Sequence, residues 1–227
     1  MNADLGDAHT QMERLLRRLA DLIAQSPHNL VSRTDRDDVW GNHIQECLAY
    51  VDTLSLGPAQ HWIDIGTGGG LPGLVLAAAC PDTQWTLVDG TAKKVRAVQE
   101  FAIELGLDNV TAIQAQAEEL AHDQGFRGQF DGAISRAVAP LPILSELLVG
   151  FVRPQGSVVA VKGPRWKEEV QAAAAAFQEL GLDLHETIPI PSAQRPTWLV
   201  MMRVRGAVPQ HYPRRAGLPR SKPLGGT

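Results

Sequence analysis

The decapeptide Asp64-Ile65-Gly66-Thr67-Gly68-Gly69-Gly70-Leu71-Pro72-Gly73 follows directly on the apolar pair Trp62-Ile63. It constrains the fold more than any other stretch. A buried strand ends there in a glycine-rich turn, and the turn opens a helix at Leu71-Pro72. Glycines let a backbone turn sharply and approach a ligand with no Cβ in the way. Twenty-three residues after Gly66, a second apolar run, Trp85-Thr86-Leu87-Val88, closes on Asp89. Strand, glycine turn, helix, strand and acid at this spacing describe a nucleotide-cofactor site. The acid is placed to accept hydrogen bonds from both hydroxyls of a ribose.

The dinucleotide pattern G-x-G-x-x-G occurs at Gly68, Gly70 and Gly73, but its register is late, because the strand has already ended by Gly66. The pattern D-x-G-x-G-x-G, at Asp64, Gly66, Gly68 and Gly70, fits the strand end better. It resembles the first motif of class I S-adenosylmethionine (SAM) methyltransferases. A nicotinamide or flavin cofactor, or a turn with no ligand, stays open at this point.

A chain of 227 residues with 44% hydrophobic and 20% charged residues is ordinary for one globular domain with a modest extension. No run of about 18 apolar residues is present, so no membrane span is expected. The start, Met1-Asn2-Ala3-Asp4-Leu5, lacks the basic-then-apolar pattern of a signal peptide. Cys47 and Cys80 have no nearby cysteine partner and read as free thiols of a reducing compartment, the cytoplasm by default. No spacing of His43 or His61 with Asp, Glu, Cys or other His suggests a metal site, so both histidines read as structural. Seven basic residues and no acid follow Glu186; a net charge of −4 therefore leaves −11 on residues 1–186. A basic tail on an acidic body points to a polyanionic partner, with a merely solvated tail as the alternative.

Along the chain, Met12, Leu15, Leu16, Leu19, Leu22 and Ile23 make one helical stripe over about 11–24. Arg14, Arg17 and Arg18 lie off it and read as a solvated face. A second helix is expected over about 40–54. From Gln60 the pattern alternates: strands at about 61–65, 84–88, 110–114, 130–135 and 157–161, with helices at about 72–80, 91–105, 141–149 and 165–180. The runs at about 183–189 and 197–205 have little between them. Parallel neighbours need a crossover of about a dozen residues, so this last pair is antiparallel. The expected fold is α/β: a Rossmann-like, mostly parallel seven-stranded sheet with a final antiparallel strand, plus N-terminal helices. The expected division is an N-terminal helical extension at 1–58, a cofactor-binding domain at 59–205, and a basic, Gly/Pro-rich extended arm at 206–227. A monomer is favoured.

Several segments together resemble the small-subunit ribosomal RNA methyltransferase G family, also called glucose-inhibited division protein B. They are the glycine segment with Leu71-Pro72, Leu87-Val88-Asp89, Lys93-Lys94-Val95-Arg96 and Ala117-Glu118-Glu119. Phe130-Asp131, Ile134-Ser135-Arg136-Ala137 and Val161-Lys162-Gly163 continue the set. Asn29-Leu30 and His43-Ile44 match its N-terminal part. Tyr212-Pro213-Arg214-Arg215-Ala216-Gly217-Leu218-Pro219 with Lys222-Pro223-Leu224 is similar to its tail. Gly90-Thr91 departs from the frequent Ser-Leu, and Gly69 from Ala or Pro. The resemblance covers most of the chain and implies a SAM-dependent enzyme that methylates N7 of a guanine in the 530 loop of 16S rRNA, with the 30S ribosomal subunit as partner. A SAM enzyme acting on another RNA or a small molecule is the alternative.

The roles this implies can be set out by residue. Gly66, Gly68 and Gly70 bring the loop against the methionine part of SAM, with Leu71 packed nearby. Asp89 holds the ribose hydroxyls or simply caps the helix before Thr91. Gly90 and Thr91 line the same wall. Ala117 and Glu118 stand where this fold contacts adenine, Glu118 otherwise being an exposed helix acid. Asp64 is structural or near the SAM amino group. Arg136 meets the SAM carboxylate, an RNA phosphate, or an acid such as Glu118. Lys162 contacts RNA or is structural. Arg214, Arg215, Arg220 and Lys222 are RNA-phosphate candidates, setting affinity and not base choice. Guanine N7 carries a free lone pair, so no general base is needed. No Asn-Pro-Pro-Tyr-like motif is present, and the one Cys-Pro pair, Cys80-Pro81, lies on the wrong side of the site.

Overall fold

A computed structural model describes residues 2–191 and 193–226, with residues 2–9 as backbone only. The chain opens with helix α1 (Asn2–Gln25), a 3-10 turn (Arg33–Asp38), a π-helical turn (Trp40–Ile44) and α2 (Gln45–Leu54). Strand–helix units follow: β1 (His61–Ile65), α3 (Gly73–Ala79), β2 (Gln84–Asp89), α4 (Ala92–Leu105), β3 (Val110–Gln114), α5 (Ala117–Leu120), β4 (Phe130–Arg136) and α6 (Leu141–Val149). Then come β5 (Val152–Lys162), α7 (Trp166–Ala172), α8 (Ala174–Leu180), β6 (Leu182–Pro189), β7 (Trp198–Val204) and α9 (Leu218–Ser221).

The seven strands form one sheet in the order β3-β2-β1-β4-β5-β7-β6. β7 runs antiparallel to both β5 and β6, and the other pairs are parallel. This is the α/β plan expected. Its inner parallel strands β1 and β2 are buried on both faces, which is why β2 reads as an apolar run. Alternation divides the side chains between two cores. Trp62, Trp85 and Leu87 face α1–α4, with Leu16, Ile23, Tyr50 and Val98. Ile63, Val88 and Ala133 face α6 and α8, with Leu144, Phe151 and Phe177. In α4, Val95, Val98, Phe101, Ala102 and Leu105 make the buried stripe. Gly106, at φ +66, ends that helix by donating back to Ile103.

Strand order reverses between β1 and β4, and a crevice opens beyond the carboxyl ends of strands at such a point. Because Trp198 of β7 pairs with Lys162 at the end of β5, the loop before β7 is delivered to that same edge.

Three local expectations need correction. The 165–180 helix is broken at the buried Ala173, whose N–H is shared between the carbonyls of Glu169 and Val170. β5 begins five residues earlier than 157, joining β4 through a register shift between Phe130 and Gly132. Residues 206–226 are not an extended arm but a strap laid on the body. Tyr212 and Leu224 are buried in the α6–α8 core. The Arg127 guanidinium donates to the carbonyls of Val208, Pro209 and Tyr212. Proline-rich backbone has few N–H groups of its own, so its carbonyls need such outside donors.

Candidate functional site

The glycine turn is shaped by left-handed backbone at Gly66 (φ +74), Gly68 (φ +60) and Gly70 (φ +88). A Cβ on Gly66 would strike Val138, and one on Gly70 would strike Leu74. On Gly68 a Cβ would meet nothing closer than 3.9 Å. The first two glycines thus permit close packing, and the third faces open space.

Asp89 anchors this turn. Its Oδ2 accepts from the Gly68 N–H at 3.1 Å and its Oδ1 from the Thr91 N–H at 2.8 Å. It therefore does cap the chain entering α4, while half of the roughly four lone-pair sites of a carboxylate remain free. Gly66, Asp89, Gly90, Ala117 and Glu118 line a cavity of about 310 Å³. Gly70 and Thr91 do not line it. Glu118 is no exposed helix acid: it is buried, and its Oε1 accepts from Gly217 N–H of the strap at 3.1 Å. The strap also brings Arg220 to this cavity.

A second cavity, of about 530 Å³, adjoins the first at Gly66, Lys94 and Ala137. Gly68, Leu71, Arg136 and Lys162 line it, opposite walls made by the N-terminal helices and by Arg195–Thr197. Arg136 ends β4 and donates to His43 Nδ1 at 3.1 Å, with Glu46 at 3.6 Å. Its acid partner is thus Glu46 and not Glu118. Burial alone would lower the Arg136 pKa, yet the surrounding groups, Glu46 and Asp64 among them, hold it above the usual value. Burial and the Arg136 charge push His43 down to about 4, against a partial counter-effect from Asp35. The ring is therefore neutral at pH 7. Because its Nδ1 accepts, its Nε2 carries the proton, directed toward Asp35 Oδ2 at 3.5 Å. Burial would raise Asp35, but hydrogen bonds from Ser32 and Arg195 outweigh it and leave the carboxyl below its ordinary range. Under the turn, Asp64 is fully buried and raised to about 6 by desolvation, offset in part by hydrogen bonds from Thr67 Oγ1 and Gly73 N–H. That places Asp64 as an internal tie of the glycine turn.

Over residues 8–196 the sequence matches the family model described as rRNA small subunit methyltransferase G. The chain belongs to this family. Curated relatives named ribosomal RNA small subunit methyltransferase G include one from Moorella thermoacetica, 35% identical over 86% of this chain and 82% of the relative. One from Deinococcus deserti is 40% identical over 85% and 79%. One from Fervidobacterium nodosum is 33% identical over 92% and 97%. Among solved structures, a SAM-dependent methyltransferase from Aquifex aeolicus superposes with a TM-score of 0.55 at 13% identity, covering 77% of this chain and all of that one. A 16S rRNA (adenine(1408)-N(1))-methyltransferase from Catenulisporales acidiphilia gives 0.54 at 14%, over 71% and 93%. These distant structures share the fold.

The methyltransferase G family uses S-adenosylmethionine, and the first cavity suits it. Asp89 offers free acceptor capacity for a ribose and Ala117 is small, while Gly68, with its side-chain space open, lines the adjoining cavity. Two residues expected at RNA are otherwise engaged. Lys162 is buried, its Nζ donating to the Ala139 carbonyl at 2.6 Å and meeting Glu169 at 2.8 Å. Arg214 makes a two-pronged bond to the fully buried Glu146, at 2.8 and 2.7 Å, and fastens the strap. Arg215, Arg220 and Lys222 are exposed and make no ion pair among the described residues. Asp35, Glu46 and Arg195 were not singled out by sequence. Only the Asn29-Leu30 and His43-Ile44 pairs of the family resemblance pointed toward that wall.

Proposed function

We propose that this methyltransferase G family member transfers the methyl group of S-adenosylmethionine to N7 of a guanine in the 530 loop of 16S rRNA. The carrying observation is the pair of adjoining cavities at the strand-order reversal, in a chain matched by the family model over residues 8–196. The cofactor supplies an electrophilic methyl group. Gly66, Gly68 and Leu71 hold its methionine end near the junction, and Asp89 accepts from its ribose. Gly90, Ala117 and Glu118 line the adenine side, and Arg220 closes it from the strap. Arg136 faces the second cavity as a fixed cation. Exposed Arg215 and Lys222 meet RNA phosphates, and the N-terminal helical part serves as the acceptor wall.

The chain's contribution to rate is alignment, since N7 attacks without losing a proton; positioning of this kind is worth up to about 7–11 kcal/mol. Neutral His43, bonded to Arg136, is not required to remove one. Incubating the protein with labelled SAM and 30S subunits from a strain lacking the equivalent gene, followed by N7-specific cleavage and primer extension, tests the reading. A single label in the 530 loop is expected. SAM binding with no rRNA label would move the acceptor to another molecule.

A further inference from the structure

The second cavity has a feature that the transfer reaction alone does not require. The π-helical turn and the start of α2 place Asn42, His43 and Glu46 three and four residues apart, so they share one helix face. All three line the cavity. His43 is bonded to Arg136 through Nδ1, but its buried Nε2 has no hydrogen bond, Asp35 lying at 3.5 Å; the other two are also incompletely satisfied. The half-buried Asn42 side chain has no hydrogen-bond partner among the described residues. Glu46 is buried; its Oε1 accepts from Tyr50 and faces Arg136, whereas its Oε2 has only a long, 3.4 Å contact from Thr197 Oγ1. A buried carboxylate oxygen with spare acceptor capacity on a cavity wall calls for a donor from a ligand.

We propose that Glu46 reads the Watson–Crick edge of the extruded target guanine, its Oε2 accepting from the N1–H and N2 amino group, with Asn42 beside it. This rests on the guanine-N7 reading above. A base treated chemically must leave its stack and is then recognised by hydrogen bonds to that edge. Guanine presents two adjacent donors there, which suit a carboxylate. Adenine presents a ring acceptor that a carboxylate repels. The orientation follows from the cavities: N7 lies toward the junction at Gly66 and Ala137, and the opposite edge toward α2. The charge balance favours the same placement. As the S–CH₃ bond breaks and the N7–CH₃ bond forms, the sulfonium becomes a neutral thioether and the purine becomes a cation. An anion fixed against the N1–H edge stabilises the charge as it develops.

The test uses 30S subunits reconstituted with 16S rRNA carrying either guanine or inosine, which lacks the N2 amino group, at the target position. The wild-type protein is expected to methylate the guanine substrate roughly 10-fold faster or more, since a carboxylate lone pair is left unpaired by inosine. In Glu46→Gln the guanine rate is expected to fall roughly 10- to 100-fold, and the guanine-to-inosine ratio to collapse toward one, with SAM affinity unchanged. Glu46→Asp is expected to recover part of the ratio. A ratio unchanged in Glu46→Gln overturns the assignment, because a structural role slows both substrates alike. A wild type indifferent to inosine overturns it without recourse to any variant. A wild type that binds SAM and labels neither rRNA overturns the guanine-N7 reading itself, and the base pocket with it.

Discussion

The two cavities sit side by side, yet they are held together by different forces. The cofactor cavity is made from three successive βα junctions, and backbone shape decides it: left-handed glycines, one acid tying loop to helix, and small side chains. The acceptor cavity gathers residues from the N-terminal helices, β4, β5 and the loop before β7. There the organising force is a chain of polar contacts, running from buried Glu46 through Arg136 and neutral His43 to buried Asp35 and out to exposed Arg195. A glycine turn is a local solution to a local problem. A buried charge network needs partners brought from far along the chain, and losing one member leaves another unpaired.

Four variants test that contrast. The largest effect is expected from Gly68→Trp. The indole fills the space that a Cβ on Gly68 would enter, so saturable SAM binding disappears in equilibrium dialysis, while the left-handed backbone costs only about 1–2 kcal/mol of stability. Retained SAM affinity would break the claim that the open space at Gly68 is room for the cofactor. Next, Glu146→Ala strands Arg214 and frees the strap. A loss of about 3 kcal/mol in chemical denaturation is expected, together with weaker SAM binding, because Gly217 no longer closes on Glu118. Unchanged SAM affinity would separate the strap from the cofactor side.

His43→Gln tests the charged half. The folded-state pKa of His43, about 4, lies below its ordinary 6.5. Between those values the unfolded chain binds the proton more readily, so wild type loses stability as pH falls through the window. Asp64, raised to about 6, works in the opposite direction, because the folded chain binds that proton first. Removing the imidazole takes away one unfavourable trend; that of His61, also lowered by burial, remains in both proteins. The variant should therefore gain on wild type as pH drops from 6.5 to 4, approaching roughly 3 kcal/mol. Parallel stability–pH curves would mean that burial and Arg136 do not hold His43 neutral. The smallest effect is expected from Arg215→Ala with Lys222→Ala. Both side chains are exposed, so stability and SAM binding hold, while the salt dependence of RNA binding flattens by about 1.4 in log–log slope for two single-strand phosphate contacts.

The legibility of the sequence follows the same division. β1, β3 and α6 match the expected spans, because short apolar or β-branched runs between turn residues are legible without a period; α6, buried along its whole length, lies between Pro140 and Gly150. The glycine turn and Asp89 are readable because left-handed backbone almost demands glycine at a fixed distance from a strand end. Short elements such as α5 and α9, at four residues each, leave no period to read. Glu46 is a single acid in a helix, indistinguishable in sequence from a solvated one until Arg136, ninety residues later, is brought against it. The strap was misread for a related reason. Its high Gly and Pro content describes backbone that makes no ladder of its own, and says nothing of Arg127 and Glu146, which fasten it from other elements.

The strap also imposes an order of events on the growing polypeptide. Residues 208–224 emerge after every strand of the sheet has been made, so the sheet can assemble while Glu118, Glu146 and Arg127 still await their partners. Until then three charged groups destined for a dry interface stay in water, and the cleft above Asp89 lacks one wall. A nascent chain stalled before Tyr212 would have the sheet of a methyltransferase and an open, hydrated cofactor site. The wall that Gly217 and Arg220 add to this cleft is thus the last part of it to be made.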